Sequence, residues 1–177
     1  KIISQTKTNK LKIFYKFGLE FWNSTKGRIY ISKLKNKNIF ADLKLLDIPN
    51  TCKATVKSIK DLKNINYLTV HISGGLKMLK AVKSVSGKIK ILGVTTLTSL
   101  NNKDLKKIGY DKNIKKISIK LAKLARSARL DGIICSAHEA KYLKKICKRM
   151  EIITPGIRLG GDNFQDQKRV STPKDAF

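Results

Sequence analysis

The stretch at residues 38–51 reads N-I-F-A-D-L-K-L-L-D-I-P-N-T. It opens as a β-strand, with Ile39, Phe40 and Ala41 followed by Leu43, Leu45 and Leu46. A charge inside such a strand is costly to bury unless it is paired. Here there are two, Asp42 and Lys44, at i and i+2. Strand alternation puts both on one face and Ala41 and Leu43 on the other. Asp47 follows just before Ile48-Pro49, where the strand is expected to have turned into a loop. At an effective dielectric near 20, two unit charges about 4 Å apart interact by about 4 kcal/mol. Asp42, Lys44 and Asp47 are therefore expected to titrate as a coupled set. An arbitrary D-x-K is a structural ion pair; the full string D-x-K-x-x-D-I-P-N-T is much more specific.

Outward from this strand, apolar segments alternate with helical patterns. Leu11 to Leu19 reads as a strand with Lys16 on the face of Phe14 and Gly18, a second charge in an apolar run. Asn23 or Ser24 is expected to cap a helix reaching about Lys35. After the Asp42 strand, Asn50 or Thr51 is expected to cap a helix carrying Cys52, Val56 and Ile59 at i, i+4, i+7. Strands follow at 67–72, 89–96, 132–135 and 152–153, separated by helices marked by Leu76, Leu79 and Val82, by Ile117, Leu121 and Leu124, and by Ala140 and Leu143. Residues 162–172 read as a loop, and Pro173 as the first turn of a helix. Near-continuous apolar strands alternating with helices argue for a parallel α/β sheet in one domain, residues 1–177. Lys44, Asp47, His71, Thr98 and Arg158 fall at or beyond strand C-termini, where a (β/α)₈ barrel keeps its active site. Periodicity alone leaves a doubly wound sheet open.

Composition narrows the class. The 177 residues are 41% hydrophobic and 29% charged, a globular balance, but the net charge is +27. Such a charge suits an anionic partner. The excess is mostly Lys spread along the chain, with no Arg cluster and no aromatic-studded basic strand. It is read as a solvated surface rather than a nucleic-acid interface. Cys52, Cys135 and Cys147 lack metal-ligand spacing, and three is an odd count for a disulfide framework. A reducing cytoplasmic compartment fits. No apolar run of about 18 residues suggests a membrane span.

The D-L-K-L-L-D-I-P-N-T string resembles the active-site signature of the orotidine 5′-phosphate decarboxylase family (bacterial type). Y-K-F-G-L-E at 15–20, V-H-I-S-G-G at 70–75, V-T-T-L-T-S at 94–99, D-G-I-I-C-S-A at 131–137, T-P-G-I-R at 154–158 and D-Q-K-R-V-S-T-P at 166–173 recur in the family's order. The resemblance implies a (β/α)₈ TIM barrel, incomplete here with about six of eight strands. The family's first strand, bearing an aspartate, would lie before Lys1, and its Gly-Arg pair beyond Phe177. The sequence is thus expected to be a fragment, and alone to fold poorly because an unclosed barrel exposes two strand edges.

The resemblance further implies decarboxylation of orotidine 5′-monophosphate to UMP and CO₂ with no metal and no organic cofactor. Lys44 matches the family's proton donor to C6, Asp42 the carboxylate beside the departing CO₂, and Lys16 the lysine bonded to that network. Asp47 matches an aspartate that reaches the neighbouring subunit's site, which implies a homodimer with shared active sites. Thr51 and Thr98 match nucleotide contacts, and Arg158 and Gln167 match the loop that closes on the phosphate end. His71 is read as structural, His138 as exposed, and Gly74-Gly75 as permitting close packing. A rival with the same barrel is the Mg²⁺-dependent sugar-phosphate aldolase/decarboxylase type; D-I-P-N-T, T-P-G-I-R and D-Q-K-R favour orotidylate. A basic nucleic-acid-binding protein is the rival from another class.

Overall fold

The computed structural model describes residues 2–6, 10–158 and 171–176. Six strands and nine helices are described among them: α1 (Ile2–Gln5), β1 (Phe14–Gly18), α2 (Leu19–Asn23), α3 (Gly27–Lys33), β2 (Asn38–Leu45), α4 (Pro49–Ile59), β3 (Ile65–His71), α5 (Gly75–Val85), β4 (Lys90–Val94), α6 (Asn102–Lys107), α7 (Ile114–Ser127), β5 (Gly132–Ile134), α8 (Ala137–Ile146), β6 (Glu151–Ile153) and α9 (Pro173–Ala176). A 3₁₀ turn at Ile72–Gly74 joins β3 to α5.

All five strand pairings are parallel and the sheet order is β1-β2-β3-β4-β5-β6. A doubly wound sheet reverses strand order at a switch point. This one never does, so it winds in the single direction of a (β/α)₈ barrel and supplies six of its eight staves. The strands are buried on both faces, as parallel sheets are: Ile39, Phe40, Ala41 and Asp42 are all buried in succession.

The core lies between sheet and helices. Val56 and Ile59 of α4, Met78, Leu79 and Val82 of α5, and Ala122 and Ala125 of α7 pack over Ala41, Leu68, Val70, Ile91 and Ile133. Burying each such Val, Leu or Ile stabilises by about 1.5–3 kcal/mol. The inward face of α7 includes Ser118 and two alanines, so it sits close to the sheet on small residues rather than on the leucines alone.

Close approach accounts for two glycines. A Cβ on Gly93 would stand 2.6 Å from Ile72 Cγ1 and 2.9 Å from Leu130 Cδ1. At Gly74 it would meet Met78 Sδ at 2.2 Å, in keeping with a packing role for the Gly74-Gly75 pair. The helix after β2 begins at Pro49, with Ile48 as its flanking residue and no side-chain cap. The caps expected from Asn50 or Thr51 are not used, because the helix starts upstream at Pro49, which suits the first helical position, and this places both residues inside its first turn. Likewise α3 starts at Gly27 after a separate short α2, so neither Asn23 nor Ser24 caps it. Cys52, Cys135 and Cys147 are buried and form no disulfide among the described residues. Among the described residues no helix is long and apolar enough to cross a membrane.

Candidate active site

At the C-terminal ends of the strands lies a cleft of about 290 Å³ whose walls include Lys16, Phe40, Asp42, Lys44, Thr98, Ser99, Ile153, Thr154 and Pro155. β1 and β2 set its floor. Lys16 is paired in register with Phe40, and Gly18 with Asp42, so the Lys16 stem points to the same side as the Asp42 carboxylate. That carboxylate is the centre of the site. Lys16 Nζ donates to Oδ2 at 2.7 Å, and Lys44 Nζ stands 2.9 Å from Oδ1.

β2 does not reach this geometry by simple alternation. Ala41 pairs with Leu68 and Leu45 with Val70, so Asp42, Leu43 and Lys44 together oppose the single residue Thr69. The strand bulges, and Lys44 takes φ +48°, in the left-handed region. A bulge re-aims side chains at a strand end; here Asp42 and Lys44 both line the cleft. Thr69, fully buried on β3, sits under the bulge. Its hydroxyl donates to Asp42 Oδ1 at 3.1 Å and accepts from the Lys44 N–H at 2.7 Å. Nothing in the sequence singles it out, since Thr is an ordinary strand residue.

Burial alone would raise the Asp42 pKa. The hydrogen bonds and charges of Lys16 and Lys44 outweigh it and hold the carboxyl below its usual value. His71, half-buried at the end of β3, is pushed the other way from an ordinary imidazole: burial lowers its pKa, the Lys44 charge lowers it further, and Asp42 partly offsets this. It is held toward the neutral form.

Four residues singled out in the sequence converge on the cleft: Lys16, Asp42, Lys44 and Thr98, the last buried. Three stand apart from its described lining. Asp47 is exposed, with Oδ1 accepting from the Ile48 N–H at 2.6 Å. The ion pairs at this strand end join Lys16, Asp42 and Lys44, and Asp47, expected beside Lys44, bonds to the Ile48 backbone. Thr51 is exposed in the first turn of α4. Arg158 donates through Nη1 to the Ile157 carbonyl at 3.0 Å, beside a bridge between Ile157 and Ser171. Gln167 lies outside the described residues. Among the described residues no three His, Cys, Asp or Glu side chains are grouped to hold a metal ion.

A family model described as "Orotidine 5'-phosphate decarboxylase / HUMPS family" matches residues 6–177. The orotidine 5′-phosphate decarboxylase of Wolbachia pipientis subsp. Culex pipiens is 49% identical over 167 residues, covering 92% of this chain and 73% of that protein. The enzyme of the same name from Buchnera aphidicola subsp. Baizongia pistaciae is 42% identical over 167 residues, covering 91% of this chain and 67% of its own length. Among solved structures, orotidine 5′-phosphate decarboxylase from Lactobacillus acidophilus matches with a TM-score of 0.81 and 34% identity, over 99% of this chain and 78% of that one.

Proposed function

From the premise that the chain belongs to the orotidine 5′-phosphate decarboxylase / HUMPS family, we propose that it decarboxylates orotidine 5′-monophosphate to UMP and CO₂, without metal or organic cofactor. As a carboxy-lyase of this kind it breaks the bond between C6 and the carboxylate. The electron pair stays on C6, CO₂ departs, and a proton from the Lys44 ammonium is transferred to C6. The observation that carries this reading is the Lys44 ammonium held 2.9 Å from Asp42 inside the cleft. The carbanion gains little from resonance, so the fixed positive charges of Lys44 and Lys16 stabilise it electrostatically. Asp42 keeps both lysines in place and faces the departing carboxylate.

Thr98 in the cleft wall contacts the nucleotide, as does Thr51. Arg158 and Gln167 belong to the segment that closes on the phosphate, whose binding contributes to the rate at the distant reacting carbon. Asp47 is exposed and outside the cleft lining, between the exposed Leu46 (57%) and Ile48 (66%). An aspartate flanked by exposed apolar side chains suits insertion into a second copy, which supports a homodimer with shared sites. The chain acts as one domain in the cytoplasm.

The test is orotidine 5′-phosphate turnover with EDTA present. Turnover that persists supports the reading; turnover of a ketose phosphate that EDTA abolishes, with none of orotidylate, replaces it by the Mg²⁺-dependent sugar-phosphate chemistry.

A further inference from the structure

Three consecutive residues of β2 face one residue of β3, and that residue holds the first and last of them by a single oxygen. The Thr69 hydroxyl accepts the Lys44 N–H at 2.7 Å and donates its own proton to Asp42 Oδ1 at 3.1 Å. The two bonds run in one direction, N–H to O–H to carboxylate, so each polarises the other. The Lys44 N–H needs this acceptor because the bulge breaks the strand ladder between Ala41 and Leu45. Lys44 also sits at φ +48°, a conformation that non-glycine residues hold only where the surroundings impose it.

We propose that Thr69 is a positioning residue of the site: its hydroxyl fixes the left-handed backbone of Lys44 and the orientation of the Asp42 carboxylate together. With Oδ1 turned to Thr69 and Lys44, Oδ2 is left to Lys16. A hydroxyl is required, since the group must accept and donate through one atom. Valine matches threonine in shape and does neither. Serine does both.

The catalytic consequence rests on the decarboxylase reading above, but the structural one does not, so the experiment reads both. In the 177-residue chain, Thr69→Val is expected to cut hydrogen-exchange protection of the Lys44 amide at least tenfold. It is also expected to raise the titration midpoint of the Asp42 carboxyl, followed by carbon-13 NMR, because a donor to the charged form is lost. Thr69→Ser is expected to restore both. With orotidine 5′-phosphate, kcat is expected to fall at least tenfold in Thr69→Val while KM stays within threefold, and Thr69→Ser to recover most of the rate. Should Thr69→Val not fold, Thr69→Ala, which adds no atoms, carries the same readings. Unchanged Lys44 protection and Asp42 titration in the variant lacking the hydroxyl overturn the proposal, as does a normal kcat where both have changed. A wild-type chain inactive on orotidylate counts against the decarboxylase reading alone, and the two NMR readings still decide whether Thr69 positions the site.

Discussion

Lys44 occupies a backbone conformation that few lysines adopt, and its ammonium ends on a buried carboxylate. Replacing it by alanine removes the proton donor while keeping the Cβ that the bulge already accommodates. Lys44→Ala is expected to reduce orotidylate turnover to background with the circular dichroism of the wild-type protein retained; near-wild-type turnover would refute the assigned role. Asp42 gives a pH prediction. Its folded pKa lies below the unfolded value of 3.8, so the stability it contributes is fully present above that value and is lost as pH falls through the folded one. Glu151 behaves alike from its own 4.5: burial raises it, but hydrogen bonds from Lys90 and Tyr67 pull it lower. The thermal midpoint is thus expected to decline from about pH 6.5, where burial of His71 opposes its protonation, and more steeply below about 5 as Asp42 and Glu151 protonate, with a shallower late fall in Asp42→Asn. An equal fall in that variant removes Asp42 from the cause. These charges were legible in the sequence because a Lys or Asp inside an apolar strand announces a partner. Thr69 was not, since a threonine in a strand costs nothing and signals nothing, and spacing alone did not show that Asp47 joins no ion pair among the described residues but bonds to the Ile48 backbone.

At the scale of elements, α7 and α8 are joined by a buried carboxylate. Glu139 is 3% exposed; it accepts from Ser118 Oγ of α7 at 2.6 Å and from the Ser136 N–H and Oγ at 3.0 Å each. The bond from the Ser136 N–H is the Glu139 half of the capping box of α8. Above them the Tyr142 hydroxyl is pushed well above its ordinary pKa, chiefly by burial and then by Glu139. Removing the carboxylate leaves buried donors without an acceptor, at about 1–3 kcal/mol each, and removes half of the cap. Glu139→Ala is expected to lower stability by about 2–4 kcal/mol in urea unfolding. A loss below about 1 kcal/mol would mean that water replaces the carboxylate. Periodicity found α7 and α8 but not this link. It counts apolar positions, and the inward face of α7 is completed by Ser118, a polar residue that belongs inside only because Glu139 waits for it. The caps of α3 and α4 failed for a related reason: a good capping residue near a helix start is common, while the start itself is set by where Gly27 packs and Pro49 falls.

For the whole molecule the decisive property is strand order, which periodicity could not supply. Alternating strands and helices fit both a barrel and a doubly wound sheet; the family motifs favoured the barrel, and the spatial order β1 to β6 agrees with it. Among the described residues that order pairs β1 and β6 with one neighbour each, leaving one edge of each without a described partner strand. Unpaired edges are templates for association. What opposes association here is charge. Helices α4, α5 and α7 contain no acidic residue, while Lys53, Lys57, Lys77, Lys80, Lys115, Lys116, Lys120 and Lys123 lie along them, and the chain as a whole carries +27. The repulsion between copies reaches about 30 Å at 10 mM salt but only about 8 Å at 150 mM. The two effects therefore separate by ionic strength. In light scattering the 177-residue chain is expected to hold a small defined size at low salt and to grow into larger, heterogeneous assemblies as salt rises. Lysine substitutions at Phe14 and Ile152, on the two edge strands, are expected to suppress that growth. Size independent of salt would show that neither the edges nor the surface charge governs association.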